Sequence, residues 1–129
     1  MEAEPTLVDR VKAGAGWLDE HYPGWHNKVD TFTLTLRNGT SCVLGQVYAK
    51  AGLHDPAIML SPYAQILDHH EHTYSWSAEN GFAWFDSEFE GKGDMDVAME
   101  DWETQATLLW ISEVNARIHE ETQDGAKAA

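Results

Sequence analysis

Asn38-Gly39-Thr40-Ser41-Cys42-Val43-Leu44-Gly45-Gln46-Val47-Tyr48 decides the fold class, read with Phe32-Thr33-Leu34-Thr35-Leu36 before it. The first run alternates apolar and β-branched polar residues, and Asn-Gly between two apolar runs is the strongest short-range signal for a β-hairpin. The second run admits another reading. A helix starting at Thr40 or Ser41 places Val43, Val47 and Ala51 on one face and Gly52 at its end, where glycine commonly stops a helix. Two strands here mean a mixed domain; one helix means a mainly helical one.

The flanking segments favour helices. Upstream, Thr6 is placed to cap a helix with Asp9 in its first turn, and Leu7, Val11, Ala15 and Leu18 recur at spacings of four and three. This helix is predicted over Thr6 to Glu20, stopping before Pro23-Gly24. Gly14 and Gly16 within it each cost about 1 kcal/mol of propensity relative to Ala, so they either weaken the helix or admit a close neighbour, and close packing is the expectation. Downstream, 53–60 reads as a loop, and Ser61-Pro62 opens a helix through Tyr63, Ile66 and Leu67 to about His70. Tyr74, Trp76, Phe82, Trp84, Phe85 and Phe89 surround Asn80-Gly81, either a hairpin turn or the left-handed stop of a short helix. The clearest element runs from about Met95 to Glu121, where Ala106, Trp110, Val114 and Ile118 fall four apart with Leu108 and Ile111 beside them. The expectation is one compact, mainly α domain spanning 1–129, with short β-structure near 31–37 or 74–85 and flexible tails at 1–5 and 122–129. The predicted core is Leu7, Val11, Leu18, Leu36, Val43, Leu44, Val47, Ile66, Leu108, Ile111, Val114 and Ile118.

Composition narrows the function classes. With 43% hydrophobic residues in 129, the chain can build one core, while no apolar run approaches the roughly 18 residues of a membrane span. Met1-Glu2-Ala3-Glu4-Pro5 is acidic and not a secretory signal, so a cytoplasmic location is expected. Cys42 is the only cysteine, which excludes an internal disulfide and any all-cysteine metal site from one chain; it reads as a buried, inert thiol. Eight Lys and Arg oppose 22 Asp and Glu, a net charge of −14, and no two basic residues adjoin. Counterion release on nucleic acid needs clustered cations, so direct nucleic-acid binding is not expected. The same charge suits a basic protein surface, or a DNA-binding protein that meets carboxylates in place of phosphates.

With these residues placed, the chain resembles a group of small uncharacterised proteins from actinobacteria and their phages. The resemblance is carried by Gly16-Trp17-Leu18-Asp19-Glu20, Pro23-Gly24-Trp25, Val29-Asp30, Cys42-Val43-Leu44-Gly45-Gln46-Val47-Tyr48, Gly81-Phe82, and Leu108 with Trp110. It covers about residues 7 to 50 well and 81 to 118 loosely. It implies a mostly helical domain, which moves Cys42 to Ala51 towards helix and Asn80-Gly81 towards a helix stop. No activity follows from it; a phage origin directs attention to a host protein as partner.

Three constellations bear on chemistry. Asp68-His69-His70-Glu71-His72 concentrates metal-ligating residues, but on a helix His69 and His72 share one face, Asp68 and His72 another, and adjacent His69 and His70 diverge, so a distant ligand such as His54 or Asp55 is needed as well. Asp86, Glu88 and Glu90 followed by Gly91 imitate the start of a calcium loop, yet its twelfth position is Val97 where a bidentate Glu belongs. Finally, Asp86, Glu88, Glu90, Asp94, Asp96, Glu100, Asp101 and Glu103 stand against Lys92 alone. Such a run is ordinarily a solvated face, but here Phe89, Met95, Met99 and Trp102 interleave with the carboxylates, and interfaces set aromatic and Met anchors inside a polar rim. Trp17 and Trp110 are expected in the core, Trp25 as a pin after Pro23-Gly24, and Trp76, Trp84 and Trp102 in freer positions. No catalytic residue and no cofactor is indicated. The expected function is non-enzymatic binding of a host protein through Asp86, Glu88, Phe89, Glu90, Asp94, Asp96, Met99, Glu100, Trp102 and Glu103. The alternative is a metal-binding module or metal-dependent enzyme at His69, His70 and His72.

Overall fold

The computed structural model describes residues 6–84 and 94–128, the side chains of 95, 96 and 123–128 excepted. Its elements are α1 (Leu7–His21), a 3-10 turn (Trp25–Asn27), α2 (Val43–Lys50), α3 (Pro62–His69), α4 (Tyr74–Glu79) and α5 (Met95–Ala128). Among the described residues there is no strand, and the fold class is mainly α. No helix of the described residues is long and apolar enough to cross a membrane.

The local signals act where expected. Thr6 and Asp9 form a reciprocal capping box, each backbone N–H donating to the other's side chain at 3.1 and 3.2 Å. Ser61 caps α3 with Pro62 at its first position, and Thr73 caps α4. Gly81, at φ +77°, ends α4, so Asn80-Gly81 is a helix stop and not a hairpin turn. The expected short β-structure is replaced by turns over 31–37 and by α4 within 74–85.

The ambiguous central stretch is helical from Val43, with the Cys42 thiol as its cap: Sγ accepts the Gly45 N–H at 3.3 Å. Leu34 and Leu36 are buried and Thr33 and Thr35 exposed, so burial alternates over 33–36, but Phe32, which the pattern places inward, is fully exposed, and among the described residues there is no strand to pair with this segment. The Asn38-Gly39 turn instead folds over the first turn of α2. A Cβ on Gly45 would lie 2.2 Å from the Gly39 carbonyl oxygen, so glycine at 45 is what admits the approach.

The core lies where α2 packs on α3 while α1 and the 3-10 turn pack on α5. Gly14 is in tight contact, as its sequence position predicts: a Cβ there would sit 2.1 Å from the Asn80 carbonyl oxygen. Gly16 has nothing within 4 Å and lies open. Of the predicted core, Val11, Leu18, Leu36, Val43, Leu44, Val47, Ile66 and Val114 are buried, and Leu7 and Ile111 are partly buried against them. Leu108 and Ile118 are corrections, at 63% and 42% exposed. The inner stripe of α5 is Trp102, Ala106, Trp110 and Val114. Each four-residue step turns the helix about 40° past a full circle, so Ile118 rotates out of contact, and Leu108 lies nearly opposite Trp110. The helix also continues to Ala128, past the predicted stop at Glu121, with no proline to end it.

Candidate functional site

The residues that carry the sequence resemblance build a structural lock. Asp19, on the last turn of α1, accepts the Trp25 indole N–H at 2.9 Å and binds Arg117 of α5 through two bonds of 2.7 and 2.9 Å. Arg117 also reaches Glu113 and lies 5.2 Å from the centre of the Trp25 ring. Its guanidinium holds the Asp19 carboxyl below the ordinary carboxylate range. Trp25 meets Trp110 edge to face at 5.8 Å, and the Trp110 N–H donates to the Gly81 carbonyl at 2.8 Å. One residue on, His26 places Nε2 2.7 Å from Glu121. Apart from the buried His26 Nδ1, which has no partner among the described residues, these groups are occupied with one another, and they join α5 to the start of the chain.

The acidic surface read from the sequence is only partly within the described residues. Asp86, Glu88, Phe89 and Glu90 lie outside them, with the calcium-like loop, as does the side chain of Asp96. Asp94 and Glu100 are exposed and Met99 is partly buried against the core. Glu103 is engaged by Arg37, accepting its backbone N–H at 3.3 Å and its Nε at 3.0 Å. The expectation that Trp102 sits in a freer position is corrected: at 5% exposed it faces inward against Trp84.

The apolar surface that α5 does present adjoins the start of α1. One concavity of about 440 Å³ is lined by Leu7, Val97, Ala98, Asp101 and Gln105, with Trp84 and Trp102 at its base. It adjoins a second of about 570 Å³, sharing Leu7, Asp101 and Gln105 and adding Val8, Thr104 and Leu108. Val8, Val97 and Leu108 are exposed. Sequence reasoning missed this groove because it assigned Leu108 to the core; the available signal was that Val97 and Leu108 fall off the inner stripe.

A further cavity, of about 260 Å³, lies on Leu36, Phe82, Ala83 and Met99, again with Trp84 and Trp102 in its wall. Tyr63 and Tyr74 border it, the first bonded to Ser77 and the second donating to the Trp84 carbonyl. Burial pushes the Cys42 thiol beside it up to about 11 and the Tyr63 phenol to about 12, so both stay neutral at ordinary pH. The indole N–H groups of Trp84 and Trp102 are buried with no hydrogen-bond partner among the described residues.

The histidine-rich segment joins an aromatic cluster with α1. Trp17, half-buried, stacks on His21 and meets His70, His72 and Trp76 edge to face. His72 lies flat on Trp76 at 3.8 Å, and His70 Nε2 is 2.7 Å from the Tyr22 hydroxyl. His69 turns towards Tyr48, and its ring stands at 89° to that of His70. Burial, then the neighbouring His69, His21 and His72, hold His70 below its ordinary value. Among the described residues, no three His, Cys, Asp or Glu side chains are grouped to hold a metal ion. His54 and Asp55 stay in the 53–60 loop, where the Asp55 backbone is held by Gln65.

Compared with protein-family models, with curated proteins and with solved structures, the chain matches none of them.

Proposed function

We propose that this protein is a non-enzymatic interaction module that docks a basic, amphipathic segment of another protein in the groove between the start of α1 and the outer face of α5. The observation that carries the reading is the coincidence of exposed Val8, Val97 and Leu108 with Leu7 in one concave surface, edged by Asp101 and Gln105. Apolar side chains inside a polar rim are how interfaces exclude water, and the Asp101 carboxylate at the rim favours a cationic partner. A chain of net charge −14 adds a long-range attraction that raises the rate of encounter and falls with salt. The resemblance to phage proteins makes a host protein the partner to seek, and a DNA-binding protein is the special case in which duplex DNA competes.

Capture from host lysate tests this with three baits: the wild type, Val97→Lys with Leu108→Glu, and Met59→Glu. All three positions are exposed, so circular dichroism should report the same helix content for each. The expected result is a partner held by the wild type and by Met59→Glu, weakened by salt, and lost by the double variant. Equal recovery with the double variant removes this groove as the docking site.

A further inference from the structure

We propose that Asn38 is a site of spontaneous modification, at which the Gly39 backbone nitrogen closes on the Asn38 side-chain amide and water opens the resulting ring to aspartate or isoaspartate. This site is separate from the docking groove and does not depend on it.

Asparagine before glycine is the pair in which this ring closes most readily, because glycine sets no Cβ beside the attacking nitrogen. The chain has two such pairs, Asn38-Gly39 and Asn80-Gly81, and the fold treats them oppositely. Asn38 is exposed, in the turn that precedes α2. Its Oδ1 accepts the backbone N–H of Thr40 at 2.8 Å and of Ser41 at 3.2 Å, which folds the side chain forward over the Gly39 peptide. As nitrogen adds to Cγ, negative charge gathers on that same Oδ1, where both donors already point, and preorganised donors of this kind lower the barrier. The Gly39 N–H itself donates to no acceptor among the described residues, so the nucleophile is not engaged elsewhere. At Asn80 both reacting groups are held. The Gly81 N–H donates to the Ala78 carbonyl at 3.2 Å, and the Asn80 Nδ2 donates to the Trp76 carbonyl at 2.9 Å. Gly81 is also pressed against Val11, whose Cα would lie 2.7 Å from a Cβ at 81, so its peptide has little room to turn towards the side chain.

The step needs only water. Hydroxide takes the Gly39 N–H proton, the N–Cγ bond forms, and the Cγ–Nδ2 bond breaks as nitrogen leaves as ammonia with a proton from water. A second water then opens the ring. Attack at Cγ gives aspartate, and attack at the Asn38 main-chain carbonyl gives isoaspartate, whose chain runs through one more methylene. Aspartate keeps the acceptors for Thr40 and Ser41. Isoaspartate displaces Gly39, whose carbonyl accepts the Tyr63 N–H at 3.0 Å and sits so close to Gly45 that no Cβ fits there, and so lifts the turn off α2 and α3.

Full-length protein is incubated at 37 °C and pH 8, folded and in urea, and cleaved after lysine at pH 6. The peptides 29–50 and 51–92 then report the two pairs separately by mass spectrometry. The expected result is that folding slows conversion of Asn38 less than tenfold and that of Asn80 more than tenfold, with isoaspartate at 38 detected by enzymatic methylation. No variant has to fold for this comparison. Protection of Asn38 by tenfold or more, or equal rates at the two sites in the folded protein, overturns the proposal.

Discussion

Two tryptophan pairs in this molecule have nearly the same ring geometry and opposite polar circumstances. Trp25 and Trp110 meet edge to face at 5.8 Å, and Trp84 and Trp102 do so at 5.9 Å. In the first pair both N–H groups are bonded, to Asp19 and to the Gly81 carbonyl; in the second neither has a partner among the described residues. The first pair is closed in by Arg117 and Phe82, whereas the second stands between two cavities. Nearly identical ring packing therefore goes with opposite states of the indole donor.

The most damaging way to probe the closed pair is Trp110→Ala, which should cost about 3–5 kcal/mol by loss of buried area and by the cavity left behind, read by urea unfolding. Leu44→Ala, also fully buried, should fall at about 2–5 kcal/mol. Gly14→Ala forces a methyl group against the Asn80 carbonyl beside Trp110 and should cost about 1–3 kcal/mol. Gly16→Ala, two residues away and open, should stabilise by about 0.4–1 kcal/mol. If the two glycine variants behave alike, the close contact at Gly14 is wrong. Conservative changes sharpen the contrast between the pairs. Trp110→Phe leaves the Gly81 carbonyl without its donor and should cost about 1–3 kcal/mol more than Trp102→Phe, which removes a donor that has no partner. Equal losses would show that the two pairs are energetically equivalent after all.

The smallest expected effect concerns pH. His70 is held below its ordinary value of 6.5, so as pH falls past that value the unfolded chain takes up the proton first. Its contribution is complete above 6.5, is lost as pH falls through the depressed folded value, and is constant below that. His70→Gln should flatten the decline of stability between pH 7 and 5, measured by denaturant titration at each pH. An unchanged slope would move the effect elsewhere in the cluster of His21, His69 and His72.

What the sequence made legible was local. The Thr6–Asp9 box and Ser61-Pro62 act through neighbours within four residues, and both occur, whereas local pattern left Asn80-Gly81 between a hairpin turn and the helix stop it is. The Asn38-Gly39 signal misled because the hairpin rule looks only along the chain; the turn is set by contact with Gly45 and by the Tyr63 N–H, which donates to the Gly39 carbonyl. Leu108 and Trp102 changed places for a related reason. Both lie on an amphipathic helix, and which side faces inward depends on the phase of a long helix against elements far away in sequence. The acidic run drew attention to 86–103, whereas the cavities depend on Leu7, Leu36 and Phe82, which no spacing rule connects.

The bond between His26 and Glu121 joins residues 95 positions apart, and Asp19 to Arg117 spans 98. Closing so large a loop carries an entropic penalty that grows with the logarithm of its length, while α2 and α3 meet across a short loop. During synthesis the α2–α3 pair can therefore form early, but Trp25 lacks Trp110 and Arg117 as neighbours until α5 leaves the ribosome. A chain interrupted before residue 95 is expected to leave Trp25 more exposed, read by its fluorescence, and adding the α5 segment as a separate peptide should restore its burial. The cover of Trp25 is thus assembled from α1 and from a helix that follows it by about seventy residues of chain.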